Sequence, residues 1–341
     1  MLINQHFAQS QAKSREPLTP VSFSISDSAS CSMQGEIKTI KYGQDQALLQ
    51  NTMNKIEGAY SPSTIRAYRS NFESFIAYCA DLEVTSLPAS ATTVSSYISN
   101  LANGHLKSAS IRIAVTAIAS IHRLNRFEDP TKDPDVLLEM RRMHRKLGRS
   151  SSQALGVTQP ILEKLIGVTD DSLKGMRDRA LLLLAYDSMC RRSELVSLRI
   201  EDFSNLGADK GLHIRLRKSK TDPNAMGKWL HLSERTQRAI EDWIDASGIK
   251  AGFLIRRMTK HGGILPKGIS GGHINRIYKS LAAKAKLDPD MVEHISGHSM
   301  RVGPAQDLLN SGASLPMIMS RGRWTKTDTV MRYVENARVV I

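Results

Sequence analysis

Between residues 61 and 147 the apolar side chains recur at the helical period in four successive stretches. Ser61-Pro62 supplies an N-cap followed by proline at the first helical position. Ile65, Tyr68, Phe72, Phe75, Ile76 and Cys79 then line one face. Val94, Tyr97, Ile98 and Leu101 fall at i, i+3, i+4 and i+7, and Asn103-Gly104 stops that helix. Ile111, Val115, Ile118, Ile121 and Leu124 mark a third helix. Residues 134–147 mark a fourth, with Val136, Leu137, Met140 and Met143 expected inward. The pattern predicts a small helical domain over 51–148.

The pattern changes beyond residue 157. MRDRALLLLAYDSM (176–189) is too apolar all round for a surface helix and predicts a buried one. Leu212, Ile214 and Leu216 alternate with His213, Arg215 and Arg217, a strand signature, and KWLHL predicts a second strand. Together they form a β-hairpin with Lys220 at its turn. Residues 234–248 predict a helix ending at Gly248, and 271–286 and 302–312 predict two more, Pro304 lying near the start of the last, where a first turn tolerates it. The expected fold is mainly α: an N-terminal helical bundle, then an α-rich domain over 157–341 with a small antiparallel sheet. GRSSSQALG (148–156) reads as a flexible basic linker over 149–156. Residues 1–50, rich in Ser and Gln without sustained period, predict a mostly disordered arm with room for a short helix near 44–56.

Charge narrows the partners. The chain carries 47 Lys and Arg against 33 Asp and Glu, a net of +14. Residues 1–50 are balanced, and the excess is +4 over 51–150 and +10 over the remainder. Such an excess on both predicted domains favours a polyanion through counterion release, although a solvated basic surface would look alike. No apolar run approaches the ~20 residues that span a bilayer. MLINQHFAQSQAK lacks the pattern of a secretory signal. A cytoplasmic protein without membrane attachment is expected. Cys31, Cys79 and Cys190 show no paired spacing and suggest small buried side chains, not a disulfide framework.

Three segments carry candidate chemistry. In CRRSELVSLRIEDF (190–203), Arg191 precedes Glu194 by three residues; alone, this is an ordinary surface ion pair. In SGHSMRVG (296–303), His298 and Arg301 stand three apart and share a helical face. A zinc reading of His294 with His298 lacks the glutamate after the first histidine and any further ligand. In GRWTKTDTVMRYVE (322–335), Trp324 and Tyr333 alone would be core aromatics. Phosphodiester cleavage needs a nucleophile, neutralisation of the phosphate and a proton for the leaving oxygen. Arginine forks suit the phosphate, and lysine or histidine can supply the proton.

The ordered set of RxxE, a hairpin lysine, HxxR and a tryptophan followed by a tyrosine resembles the tyrosine recombinase (phage integrase) family, most nearly its Cre-type members. The resemblance spans about residues 60–335 and is densest over 296–333. It implies a two-domain DNA clamp that recombines DNA site-specifically through a 3′-phosphotyrosyl intermediate and a Holliday junction, integrating, excising or resolving DNA. It implies Tyr333 as nucleophile, Arg191 and Arg301 as clamps on the phosphate oxygens, and His298 and Trp324 completing the phosphate shell. Lys220 would be the general acid, with Lys218 a rival, and Glu194 would orient its neighbours. No metal, other cofactor or ATP is implied, and there is no GxxxxGK[ST] loop. Two arginines and a lysine near a phenol of ordinary pKa about 10 are expected to favour phenolate.

The same resemblance suggests the DNA contacts. Arg66, Arg69, Lys107 and Arg112 would lie on groove-facing helices, and Arg141, Arg142, Arg145 and Lys146, beside His144, on a phosphate-facing one. His273, Asn275, Arg276 and Lys279 would read bases from 271–286, where glycine stands in place of an expected arginine. The implied partner is double-stranded DNA with inverted-repeat sites, bound by a homotetramer on two sites that is monomeric when free. Eight residues, VENARVVI, follow Tyr333, shorter than a Cre-type tail, and Val339–Ile341 is expected to dock in a neighbouring subunit. The rival expectations are a monomeric type IB topoisomerase-like relaxing enzyme and a catalytically inactive DNA-binding regulator.

Overall fold

Short polar side chains and prolines set where the helices begin. The structure, a computed structural model, describes residues 43–149, 154–204, 211–217 and 227–334. The chain divides into two units, Met1–Ser151 and Ser152–Ile341.

The first unit contains α1 (43–55), α2 (Pro62–Asp81), α3 (Ala91–Asn103), α4 (Ser108–Leu124) and α5 (Pro134–Leu147). The side chains of Ser61, Ser90 and Asp133 each accept a backbone N–H from the first turn of α2, α3 and α5, satisfying donors a helix start leaves open. Phe72, Phe75, Ile76, Val94, Tyr97, Ile98, Ile111, Ile118 and Ile121 pack as the core. Leu49, Met53 and Ile56 are buried in it too: the short helix allowed for near 44–56 is present as α1 and crosses the boundary drawn at residue 50. Residues 1–42 lie outside the described residues. In α5 the inward line is narrower than expected. Val136 and Met143 are buried and Met140 is partly so, but Leu137 is 49% exposed and Leu138 45%. Val136 and Met143 are two turns apart and define the buried stripe, whereas Leu137 is rotated about 100° from it.

The second unit runs through α6 (Gln159–Gly167), α7 (Leu173–Ser188), α8 (Arg192–Ser197), β1 (Phe203–Ser204), β2 (His213–Leu216), β3 (Lys228–His231) and α9 (Glu234–Ser247). It continues with β4 (Arg256–Met258), β5 (Ile264–Gly268), α10 (Gly271–Lys284), α11 (Pro289–His294), α12 (Ser299–Asn310), α13 (Leu315–Gly322) and α14 (Thr327–Val334). The sheet has the antiparallel order β1-β2-β3, with Ile214 opposite Leu230 and Arg215 opposite Trp229. Period-two alternation puts Ile214, Leu216 and Leu230 on the buried face. The core gathers Leu181, Leu182 and Leu184 of α7, Ile240 and Trp243 of α9, and Ile274 and Tyr278 of α10. The Trp243 indole N–H donates to the Leu254 carbonyl at 2.9 Å. A second hairpin, β4-β5, was not anticipated; Pro266 and the glycines around it blur its alternation.

Two expectations move. α12 starts at Ser299, earlier than residue 302, after a turn in which Ser299 Oγ accepts the Ser296 N–H at 2.9 Å, so Pro304 is its sixth residue and lies inside the helix. The stretch expected as a linker is packed at its end: Leu155 N–H donates to His294 O and Val157 N–H to Ser299 O. Residues 150–153 lie outside the described residues. No helix among the described residues is long and apolar enough to cross a membrane.

Candidate active site

The site grows from the end of α7. Met189 leaves the helix in the left-handed conformation (φ 48°), and Arg191 then sits extended as the N-cap of α8. Three residues on, the Glu194 carboxylate turns back to accept both the Arg191 backbone N–H at 2.8 Å and its guanidinium at 2.9 Å. This is a capping box built around an ion pair. Burial pushes the Glu194 carboxyl up, but the Arg191 N–H, the Arg323 guanidinium and that of Arg191 outweigh it, and its pKa lies below the ordinary range.

From α12 come His298, the N-cap, and Arg301, whose side chain is among the largest fully buried ones. Arg301 donates one Nη to the Met189 carbonyl and the other to the Gly322 carbonyl at 2.8 Å. Its guanidinium lies 4.9 Å from the Trp324 ring centroid, a cation–π contact. The buried Nε has no partner. Burial, then Arg191 and Arg323, bring its pKa down to about 10, so it is still a cation at neutral pH.

From the turn after α13 comes Trp324, and from α14 Tyr333. Gly322 must lack a side chain, since a Cβ there would lie 2.0 Å from the Trp324 ring. Tyr333 is 9% exposed and its hydroxyl is hydrogen-bonded to His298 Nε2. Its ring centroid lies 5.2 Å from that of His298 and 5.3 Å from that of Trp324. Gln306 of α12 donates to the Tyr333 carbonyl at 3.1 Å and fixes the backbone of α14. Met189, Val302, Ala305, Ile318 and Val330 pack beneath the two aromatics.

The structure therefore brings Arg191, Glu194, His298, Arg301, Trp324 and Tyr333 together. It corrects one expectation. Burial raises the Tyr333 pKa, and Arg301, Arg332 and Arg191 only partly oppose it, so the resting phenol is protonated. Removing the phenolate from water outweighs the attraction of the nearby cations. Burial and the charges of Arg301 and Arg191 lower the His298 pKa, so its imidazole is neutral. Lys220 and its rival Lys218 lie outside the described residues.

One buried residue had no signal in the sequence. Arg323, 9% exposed and left-handed (φ 55°), donates to the carbonyls of Ser188 and Met189 and to Glu194 Oε2. Nothing in its spacing separates it from a surface arginine; only its place beside Trp324 could have drawn notice.

The other expected contacts are dispersed. Arg66, Lys107 and Arg112 are exposed, and Arg69 is partly buried and donates to Gln50 Oε1 at 2.6 Å. Arg141, Arg142, Arg145 and Lys146 are exposed on α5, with Arg142 on Glu139 and Lys146 on Asn103. On α10, Arg276 is exposed and His273, Asn275 and Lys279 are partly buried. Asn275 Oδ1 accepts the Gly297 N–H at 2.8 Å, tying α10 to the turn before His298. His298 faces Tyr333 while His294 Nδ1 lies 2.8 Å from the Asp290 carbonyl. No cluster of three or more potential metal ligands occurs among the described residues.

Comparison with known proteins adds sequence and fold relationships. The family model described as "Phage integrase family" matches residues 157–338. The chain is 29% identical to an integrase/recombinase xerD homolog of Selenomonas ruminantium, covering 89% of this chain and 90% of the relative. It is 27% identical to the recombinase cre of Escherichia phage P1, covering 82% and 85%. In fold it is similar to the XerH site-specific recombinase bound to palindromic difH substrate, with a TM-score of 0.63, 16% identity and 89% and 86% of the two chains covered.

Proposed function

The chain belongs to the phage integrase family, the tyrosine recombinases, and on that premise we propose that it is a site-specific DNA recombinase whose nucleophile is Tyr333. The observation that carries this reading is the Tyr333 hydroxyl on His298 Nε2, beside the buried Arg301 guanidinium that stacks on Trp324.

The chemistry follows from the groups at hand. Tyr333 Oη attacks the phosphorus and passes its proton to the neutral His298 imidazole. The new O–P bond forms as the P–O5′ bond breaks, leaving a 3′-phosphotyrosyl ester. The departing 5′-oxygen takes a proton, assigned to Lys220. Attack by a 5′-hydroxyl from the second duplex reverses these bonds and frees Tyr333. The ester conserves the bond energy, so no nucleotide is consumed.

Two positive groups meet the charge that grows on the phosphate. Arg191, held by Glu194, supplies one. Arg301, with both Nη groups on backbone carbonyls, keeps Nε to donate to a non-bridging oxygen. Trp324 holds the Arg301 plane from one side. The basic residues of α2, α4, α5 and α10 grip the duplex on both units. In this reading four copies assemble on two inverted-repeat sites and exchange strands through a Holliday junction, Val339–Ile341 docking in a neighbour, in a cytoplasmic setting.

The test is incubation of the full chain with nicked duplexes drawn from the DNA flanking its coding region and from a randomised pool. SDS-stable DNA attached through Tyr333 is expected, together with recombinant products from a two-site plasmid. Attachment with relaxed but unrecombined plasmid would instead identify a topoisomerase-like enzyme. Binding without attachment would identify an inactive regulator.

A further inference from the structure

The turn between α7 and α8 carries Arg191 and supplies a carbonyl to Arg301, yet it rests on a residue in a conformation side chains rarely adopt. Met189 has φ 48°, in the left-handed region that disfavours a Cβ. Arg323, at the end of α13, has φ 55° in the same region. These two non-glycine left-handed residues are joined: Arg323 Nη2 donates to the Met189 carbonyl at 3.1 Å and Nη1 to the Ser188 carbonyl at 3.0 Å. Arg323 Nη2 also reaches Glu194 Oε2 at 3.0 Å, the carboxylate that accepts from Arg191.

Taking the recombinase reading as its basis, we propose that Arg323 is a positioning residue that locks the Met189 turn and aims Arg191 through Glu194. Three lines of structure converge on this one side chain. It closes the end of α7, where helical carbonyls lack donors. It divides the Glu194 carboxylate with Arg191, so that one oxygen serves each guanidinium. It shares the Met189 carbonyl with Arg301, so both arginines that flank the reacting phosphate are set from one point. Its own backbone immediately precedes Trp324, which links this frame to the strip of chain bearing Tyr333. Arg323 acts here on the turn and on Glu194 and not on the phosphate, since its Nη groups are taken up by the Ser188 and Met189 carbonyls and Glu194 Oε2. Its fork is suited to three oxygens at fixed angles, which the ammonium point charge of lysine cannot match.

The test uses the full chain and the nicked duplexes that wild type attaches to. Arg323→Gly suits the left-handed backbone, Arg323→Lys keeps the charge, and Glu194→Gln is made alone and with Arg323→Gly. Single-turnover attachment is expected to fall roughly 10- to 100-fold in Arg323→Gly, the usual effect of removing a supporting partner, with the DNA dissociation constant unchanged. Arg323→Lys should recover part of the rate. The double variant should be slowed by less than the product of the two single effects, because part of the Arg323 effect passes through the same carboxylate. If Arg323→Gly attaches DNA at the wild-type rate, or if the two substitutions multiply, Arg323 does not act through Glu194. Should Arg323→Gly unfold, Arg323→Lys decides alone: full activity overturns the proposal and a selective loss of rate supports it. Failure of wild type to attach any duplex would instead defeat the recombinase reading.

Discussion

The Tyr333 hydroxyl shares a hydrogen bond with His298 Nε2, and burial moves the two pKa values apart, raising that of the phenol and lowering that of the imidazole. The resting pair is therefore a neutral acid beside a neutral base, which keeps a costly buried phenolate from forming before DNA arrives. Proton transfer to His298 requires its imidazole uncharged. With a pKa below the ordinary value of 6.5, the imidazole loses its proton as pH rises through that lowered value. Single-turnover attachment should thus be fully developed by neutral pH and fall only in the acid range beneath 6.5. A His298→Gln enzyme should be slower and should lack this acid limb. A limb centred above neutrality in wild type would contradict the assignment.

Tyr333→Phe removes the proposed nucleophile and one hydrogen bond while leaving the packed ring. It should abolish SDS-stable attachment, keep DNA binding, and change stability by no more than about 1 kcal/mol. Gel-shift and thermal melting measurements check the last two.

Gly322→Ala would drive a Cβ into the Trp324 ring at 2.0 Å, and the backbone there also accepts from Arg301. A destabilisation of about 1–3 kcal/mol is expected from overpacking. Attachment should fall by roughly 10²-fold, since small displacements of positioned groups are amplified in rate. Denaturant melts alongside attachment rates separate the two effects.

Arg141 and Arg145 are exposed on α5 and are proposed to face phosphates. Replacing both with alanine should weaken binding to all duplexes alike and flatten the log affinity against log salt slope by about 2. Fluorescence anisotropy between low and moderate salt measures it. An unchanged slope would place this face away from DNA.

Much of the architecture was legible because its signals are local. Phe72, Phe75 and Ile76 announce α2 by spacing, and Leu212, Ile214 and Leu216 announce β2 by alternation. The ordered motifs brought Arg191, His298, Arg301 and Tyr333 to notice before any geometry existed. What failed depends on three-dimensional surroundings. Leu137 fits a helical face, but the buried stripe of α5 is too narrow to include it. The expected phenolate counted nearby cations and missed the burial of Tyr333. Arg323 was invisible because an arginine fully enclosed by backbone carbonyls and one carboxylate looks, in sequence, like any other.

The proposed nucleophile Tyr333, the His298 imidazole, Arg191 and Arg301 all come from the unit Ser152–Ile341 of a single chain. Among the described residues, each copy therefore holds its own phenol, imidazole and pair of guanidinium groups in one place. Two crippled versions, one lacking the phenol and the other lacking the Arg301 guanidinium, should stay silent when mixed, and any revived cutting in such a blend would mean that copies trade parts.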